Sequence, residues 1–159
     1  METNKHIIIM RVDNKPGVLS RIAGLFTRRG YNIDSLVTGP TEDPAVYQMT
    51  ITVIGERDII DLLIRQLGRV TEVIDVCCAD GDDYVKSEIM LLRVKCAAGT
   101  RAAMLKAAEI LKTEIAAMDG DSMVLKVTGD DVRHRTVIEA FSEYGIERVI
   151  RSGAVSIGL

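Results

Sequence analysis

The stretch HIIIMRVDNKPGVLSRIAGLFTRRGYNI, residues 6–33, changes its hydrophobic period partway along. Residues 6–13 (HIIIMRVD) are an apolar run of strand length, and Asn14-Lys15-Pro16-Gly17 then breaks it with turn residues. From Val18 the spacing is helical. Val18, Ile22 and Phe26 recur every four residues with Leu19 and Ala23 beside them, one apolar stripe on a helix. Asn14 is expected to cap this helix, and Pro16 near the first turn needs no helical partner for an amide it lacks. Arg28 and Arg29 suit the negative end of the helix dipole, and Gly30 stops it.

Outward from there, Ile33 to Thr38 reads as a second strand, followed by a Gly39–Pro44 loop whose two prolines are expected to forbid a regular ladder. Val46 to Ile54 is a third strand, residues 57–67 (RDIIDLLIRQL) a helix, and Val70 to Cys78 a fourth strand. The acidic segment ADGDDY, residues 79–84, sets the expected boundary between domains 1–79 and 80–159. The same order then repeats. A strand over 88–96 leads to a helix over 101–112 carrying Met104, Leu105, Ala108 and Leu111, then short strands over 114–118 and 122–128. Asp130 or Asp131 caps a helix that reaches Tyr144 and buries Val137, Ile138 and Phe141, and Ile146 to Ser152 supplies the last strand. The expected class is α+β: two consecutive ferredoxin-like βαββαβ sandwiches, each an antiparallel sheet with helices on one face. Cores this small are marginal alone, so the halves are expected to lean on a partner chain.

Composition narrows the function. The chain has 159 residues, 47% of them hydrophobic and 27% charged, which suits packed cores rather than a disordered tail. Lys+Arg is 20 against Asp+Glu 23, a net charge of -3 with no basic arm, and there is no tryptophan and little phenylalanine for base stacking. Nucleic acid is therefore not an expected partner. Cys77, Cys78 and Cys96 form neither a disulfide framework nor a zinc cluster and read as reduced thiols. No apolar run approaches membrane-spanning length and no secretory leader is legible, so a soluble cytoplasmic protein is expected, with no membrane partner.

Catalytic patterns are missing from the sequence. His6 and His134 fall in different expected domains, the first opening a strand and the second on an expected helix surface between Arg133 and Arg135. Asp80, Asp82 and Asp83 lack the ligand spacing of a calcium loop and read as an acidic linker, so no metal is expected. Nucleotide, nucleophile-elbow and zinc-protease motifs are absent.

The informative place is the first strand-to-helix turn. Gly17 permits close approach to backbone, and the free amides at the start of the following helix carry partial positive charge, which outlines a carboxylate site. Asn14, with Asn32 before the second strand, can donate to or accept from a small zwitterion. The same residues also read as a capping asparagine and a turn glycine, and spacing does not choose between the two.

Asn14-x-Pro16-Gly17-Val18-Leu19 followed by Gly30-Tyr31-Asn32-Ile33 resembles an ACT domain, the amino-acid-sensing module of metabolic enzymes. The segment Arg21 to Leu36, the Pro40–Pro44 loop with Met49-Thr50-Ile51, Glu88-Ile89-Met90-Leu91 and Arg151-Ser152-Gly153 resemble the small, regulatory subunit of acetolactate synthase. The resemblance implies a chain without a catalytic site that binds no cofactor itself. Its partner would be a large catalytic subunit holding thiamine diphosphate, magnesium and FAD. The small subunit would raise that enzyme's activity and confer feedback inhibition by valine, leucine or isoleucine. It also implies a homodimer or higher oligomer through ACT domains, with the effector held by Asn14 and Gly17 of one chain and Asn32 and Ile33 of its neighbour, and with Lys15, Pro16 and Val18 shaping the turn. Gly129-Asp130-Asp131-Val132-Arg133 and the ending Ala154 to Leu159 depart from that family's usual pattern. Two rival readings are a free-standing amino-acid sensor for another enzyme or for transcription, and a purely structural assembly module.

Overall fold

The computed structural model describes residues 4–81 and 83–159, so the Asp82 of the acidic linker lies outside the described residues. The chain divides into two compact units, one running to Val85 and including Gly153–Leu159, the other Lys86–Ser152.

In the first unit β1 (Asn4–Asp13), α1 (Val18–Arg29), β2 (Ile33–Pro40), β3 (Val46–Gly55), α2 (Arg57–Leu67) and β4 (Val73–Cys78) follow one another. The sheet has the order β2-β3-β1-β4 and is antiparallel throughout. Ile8 and Met10 of β1 stand opposite Ile51 and Met49 of β3, and all four are buried. The helical stripe of Val18, Ile22 and Phe26 closes over them with Ile60, Leu63 and Leu67 of α2. Alternation on the strands and a four-residue repeat on the helices thus meet in one core. Gly30 ends α1 in the left-handed region, its amide bonded to the carbonyls of Phe26 and Thr27.

Three local expectations change. Asn14 does not cap α1: Gly17 occupies the cap position with no side-chain cap, and Asn14 Nδ2 donates to the Pro44 carbonyl at 3.0 Å. The prolines do not end the ladder early, since Gly39 and Pro40 still pair with Gln48 and Tyr47. β2 lies at the sheet edge, where a missing N–H costs no ladder bond. β4 starts at Val73, because Val70 and Val73 amides close turns onto Leu67 and Val70.

The second unit contains most of β5 (Tyr84–Lys95), then α3 (Arg101–Ile110), β6 (Glu114–Met118), β7 (Ser122–Gly129), α4 (Asp131–Phe141), a short 3-10 turn (Ser142–Tyr144) and β8 (Ile146–Arg151). Its sheet order is β6-β7-β5-β8. Met90, Leu92 and Val94 pack with Met104, Leu125, Val137 and Phe141 in a separate core. Asp130 caps α4, accepting from the Arg133 amide at 2.9 Å. His134, expected on a helix surface, is fully buried, with Nδ1 3.4 Å from the Glu88 carboxylate.

One element was not expected. β9 (Val155–Gly158) pairs with β5, and its Ser156 carbonyl accepts from Gln48 Nε2 at 2.7 Å. Gly153 makes this return possible. It holds φ +85°, and a Cβ there would lie 2.9 Å from Val37 Cγ2 and 3.0 Å from Ser35 Cβ, so only glycine passes so close to β2.

Candidate functional site

The turn between β1 and α1 is shaped by its backbone. Gly17 has φ +86°, a conformation that glycine adopts at little cost, and open space surrounds the place of its missing Cβ. The Asn14 amide donates to the Ala45 carbonyl at 2.8 Å, which with the Nδ2–Pro44 bond ties the turn to the β2–β3 hairpin. That hairpin is itself set by Asp43, whose Oδ1 accepts from the Ala45 amide at 2.9 Å. The amides of Leu19 and Ser20 have no acceptor among the described residues, as expected at a helix start.

Beside this turn is a hollow of about 190 Å³. Asn14, Lys15, Gly17 and Val18 line it with Asp13, Val12, Leu19, Thr38, Tyr47 and Met49. It is therefore an apolar recess with one polar lip. At the lip Lys15 Nζ and Asp13 Oδ2 are 2.6 Å apart, and this bond with Asp13 raises the Lys15 ammonium above its ordinary range. One cation, one anion and unpaired helix amides around an apolar recess can receive both ends of an amino acid and a branched side chain. Asn32 and Ile33 are not in this hollow. They follow the far end of α1, with Asn32 exposed and Ile33 packed on the core. Pro16 sits in the turn without lining the recess.

Asp13, Thr38, Tyr47 and Met49 were missed as site residues. The signal for them is register. Asp13 and Val12 stand opposite Val46 and Tyr47, and Thr38 opposite Met49, so any reading of the turn needs the hairpin paired to β1.

A second polar cluster joins the start of β1 to the end of β4. His6 Nδ1 lies 2.5 Å from Asp80 Oδ2, the Ile7 amide donates to Asp80 Oδ1 at 3.0 Å, and Arg57 Nη1 donates to Asp80 Oδ2 at 3.1 Å. Cys78 completes it, with its thiol pushed up to about 11 mainly by burial. His6, Cys78 and Asp80 offer nitrogen, sulfur and oxygen donors within 4.8 Å of one another, but the Arg57 guanidinium already supplies the cation against thiol and carboxylate. The cluster reads as a brace, and Asp80 as its hub rather than a linker residue. Burial raises the Asp80 carboxyl, but hydrogen bonds from Cys78, His6 and the Ile7 amide outweigh it and hold the group below its usual value. A depressed carboxyl stabilises the fold above its unfolded pKa, and that stabilisation is lost as pH falls through the folded value. Asp80→Asn should cost about 1–2 kcal/mol near neutral pH, the lower part of the range for a charged hydrogen bond because its side chain keeps 26% exposure to solvent. Thermal unfolding of both proteins at neutral pH and near pH 2.5 checks this, and the difference should shrink at the acid end.

Comparison with known proteins places this geometry. Residues 8–75 match the AHAS small subunit-like ACT domain, and residues 87–159 match the small subunit of acetolactate synthase. The chain is 37% identical over 153 residues to a probable acetolactate synthase small subunit of Archaeoglobus fulgidus, covering 96% of each. It is 32% identical over 152 residues to the acetolactate synthase small subunit of Mycobacterium leprae, covering 96% of this chain and 90% of that one. The crystal structure of the acetolactate synthase small subunit from Thermotoga maritima superposes with a TM-score of 0.85 at 26% identity, over 98% of both chains.

Proposed function

This chain belongs to the acetolactate synthase small-subunit family, and from that premise we propose that it is a regulatory subunit that senses a branched-chain amino acid. Its partner is a catalytic large subunit, which carries thiamine diphosphate, magnesium and FAD. This chain binds none of them and contributes no catalytic group. It raises the activity of the large subunit in the cytoplasm and transmits feedback inhibition by valine, leucine or isoleucine.

The observation that carries the sensing half is the recess beside Gly17, with unpaired amides and the Asp13–Lys15 pair at one lip of an apolar hollow. The effector carboxylate would take the Leu19 and Ser20 amides and Lys15, its ammonium would turn to Asp13, and its side chain would enter between Val18, Tyr47 and Met49. Pro16 would hold the turn open. Asn32 and Ile33 of a second copy would close the site from outside, because Asn32 is exposed and its side chain has no partner among the described residues. A ligand held between two copies favours one dimer arrangement, and that preference is what the large subunit would read. One methylene changes affinity by only about 1–3 kcal/mol in such a recess, so choice among the three amino acids rests on fine packing.

Titration calorimetry of the chain with valine, leucine and isoleucine, with alanine as control, tests this reading. Saturable heat with a branched-chain ligand supports it. Silence with all three, in the presence of the large subunit as well as without it, overturns the sensor. Asn14→Ala should weaken binding about threefold to tenfold, by loosening the turn rather than by losing a ligand contact, since its amide group is spent on Pro44. The same calorimetry checks it, with circular dichroism expected to show an intact fold.

A further inference from the structure

The seven arginines in the sequence up to Val85 separate into two sets. Arg11, Arg21 and Arg57 pair with Asp75, Glu72 and Asp61. Arg28, Arg29, Arg65 and Arg69 make no side-chain ion pair or hydrogen bond among the described residues, and all four are exposed. Arg28 and Arg29 lie on the last turn of α1, Arg65 on the last turn of α2 and Arg69 just beyond it, and three of the four meet across the groove between the two helices. Arg28, Arg29 and Arg69 rim a hollow of about 360 Å³ that also takes in Gln66, with Leu25 and Val70 as its apolar part.

Helix ends account for only part of this charge. Each C-terminus carries about half a negative charge, so even both together offset only about one of the three arginines at the hollow and leave an excess of about two. The excess stands on a chain whose net charge is -3, so it is a local concentration and not a general basicity. Folding alone gives no reason to collect it. Unpaired like charges around one hollow repel, and the paired arginines of the same unit show that carboxylate partners were available elsewhere.

We propose that this arginine-rimmed hollow docks an acidic segment of the catalytic large subunit, an inference that rests on the reading of the chain as that enzyme's regulatory subunit. Arginine suits the task because its planar fork takes a carboxylate at two points and keeps its charge at any physiological pH. Leu25 and Val70 give a partner side chain an apolar seat inside the charged rim, the arrangement of an interface anchor. No residue that lines this hollow also lines the recess beside Gly17, so effector and partner need not compete.

Docking driven by rim charge acts chiefly on association rate and salt dependence. The test is binding of the purified large subunit from the same organism to the wild-type chain and to the Arg28→Glu, Arg29→Glu, Arg69→Glu triple variant, at about 50 and 300 mM KCl. Wild-type affinity should fall roughly tenfold between the two salts. The triple variant should bind at least about thirtyfold more weakly at low salt with little remaining salt dependence, while the three lysine replacements stay within about threefold of wild type. An unchanged unfolding temperature shows that the variant folds. Equal docking of wild type and triple variant, with folding intact, overturns the proposal. Inorganic pyrophosphate that binds the wild-type chain but not the triple variant, with docking unaffected, overturns it in favour of a small-anion site. Failure of the wild-type chain to bind the large subunit at either salt overturns the regulatory-subunit reading itself.

Discussion

Gly17→Asp should bind valine at least about a hundredfold more weakly than the wild-type chain while keeping its fold. Nothing lies within 4 Å of the place where a Cβ would stand, so the new side chain meets no steric obstacle. The φ of +86° does carry a strain for any residue but glycine, about 1 kcal/mol, and aspartate is among the residues that bear it best. The larger effect is electrostatic. An aspartate at the cap position of α1 aims its carboxylate at the unpaired amides of Leu19 and Ser20, the groups assigned to the effector carboxylate. It therefore fills the anion site from within the chain. At a separation of about 4 Å and an effective dielectric near 20, two carboxylates repel by about 4 kcal/mol, enough for a loss of more than two decades. Because a capping carboxylate also stabilises the helix start, strain and cap roughly offset, and the unfolding temperature should move by only a few degrees. Gly17→Asn is the control. It tolerates the same backbone without the charge and should retain binding within about tenfold. Calorimetry on the two variants separates the cases: equal loss in both would remove the charge argument, and wild-type binding by the aspartate variant would remove the site.

The fold of the first unit was legible in residues 6–33 because two periods meet there, and the stripe of Val18, Ile22 and Phe26 is the buried face in the structure. Short-range rules failed where a longer-range contact competed with them. Asn14 has the chemistry of a cap, but Pro44 and Ala45 across the hairpin claim its side chain and amide. Pro40 reads as a strand breaker, yet at a sheet edge it breaks nothing. His134 lies between arginines in sequence, and only its place on α4, facing Glu88 on β5, shows why it is buried. The site was half visible. Asn14, Lys15, Gly17 and Val18 form one local turn, whereas Thr38, Tyr47 and Met49 enter through strand register, which no local pattern encodes. β9 was invisible for a similar reason: Ala154 to Leu159 is a short polar-apolar alternation with no strand length of its own, and only its pairing with β5 gives it form.

Phe26→Ala should strip about 3–5 kcal/mol from the first unit and abolish effector binding without a direct contact to the effector. Phe26 is 1% exposed and is among the largest fully buried side chains of its core, packed with Ile8, Ile22 and Ile51. Its removal loses the transfer free energy of a phenyl group and leaves a cavity that a layer of strands and two helices can only partly collapse. A unit of this size has a total stability of about 5–10 kcal/mol, so the loss is a large share of what holds it folded. Phe26 does not line the recess but lies only about two helical turns from Val18, whose packing fixes the start of α1 and the direction of its free amides. Loosening the helix therefore disorders the anion site. The second unit has its own core around Phe141, Met90 and Leu92, in which Phe26 takes no part. Differential scanning calorimetry should consequently show a component lowered by roughly 15 °C or more, with a second component near its wild-type position. Phe141→Ala should do the converse, lowering the second component and leaving valine binding within a fewfold of wild type. A single transition that shifts equally for both variants would mean that the two cores unfold as one, and the effector site would then depend on the whole chain rather than on the sandwich that carries it.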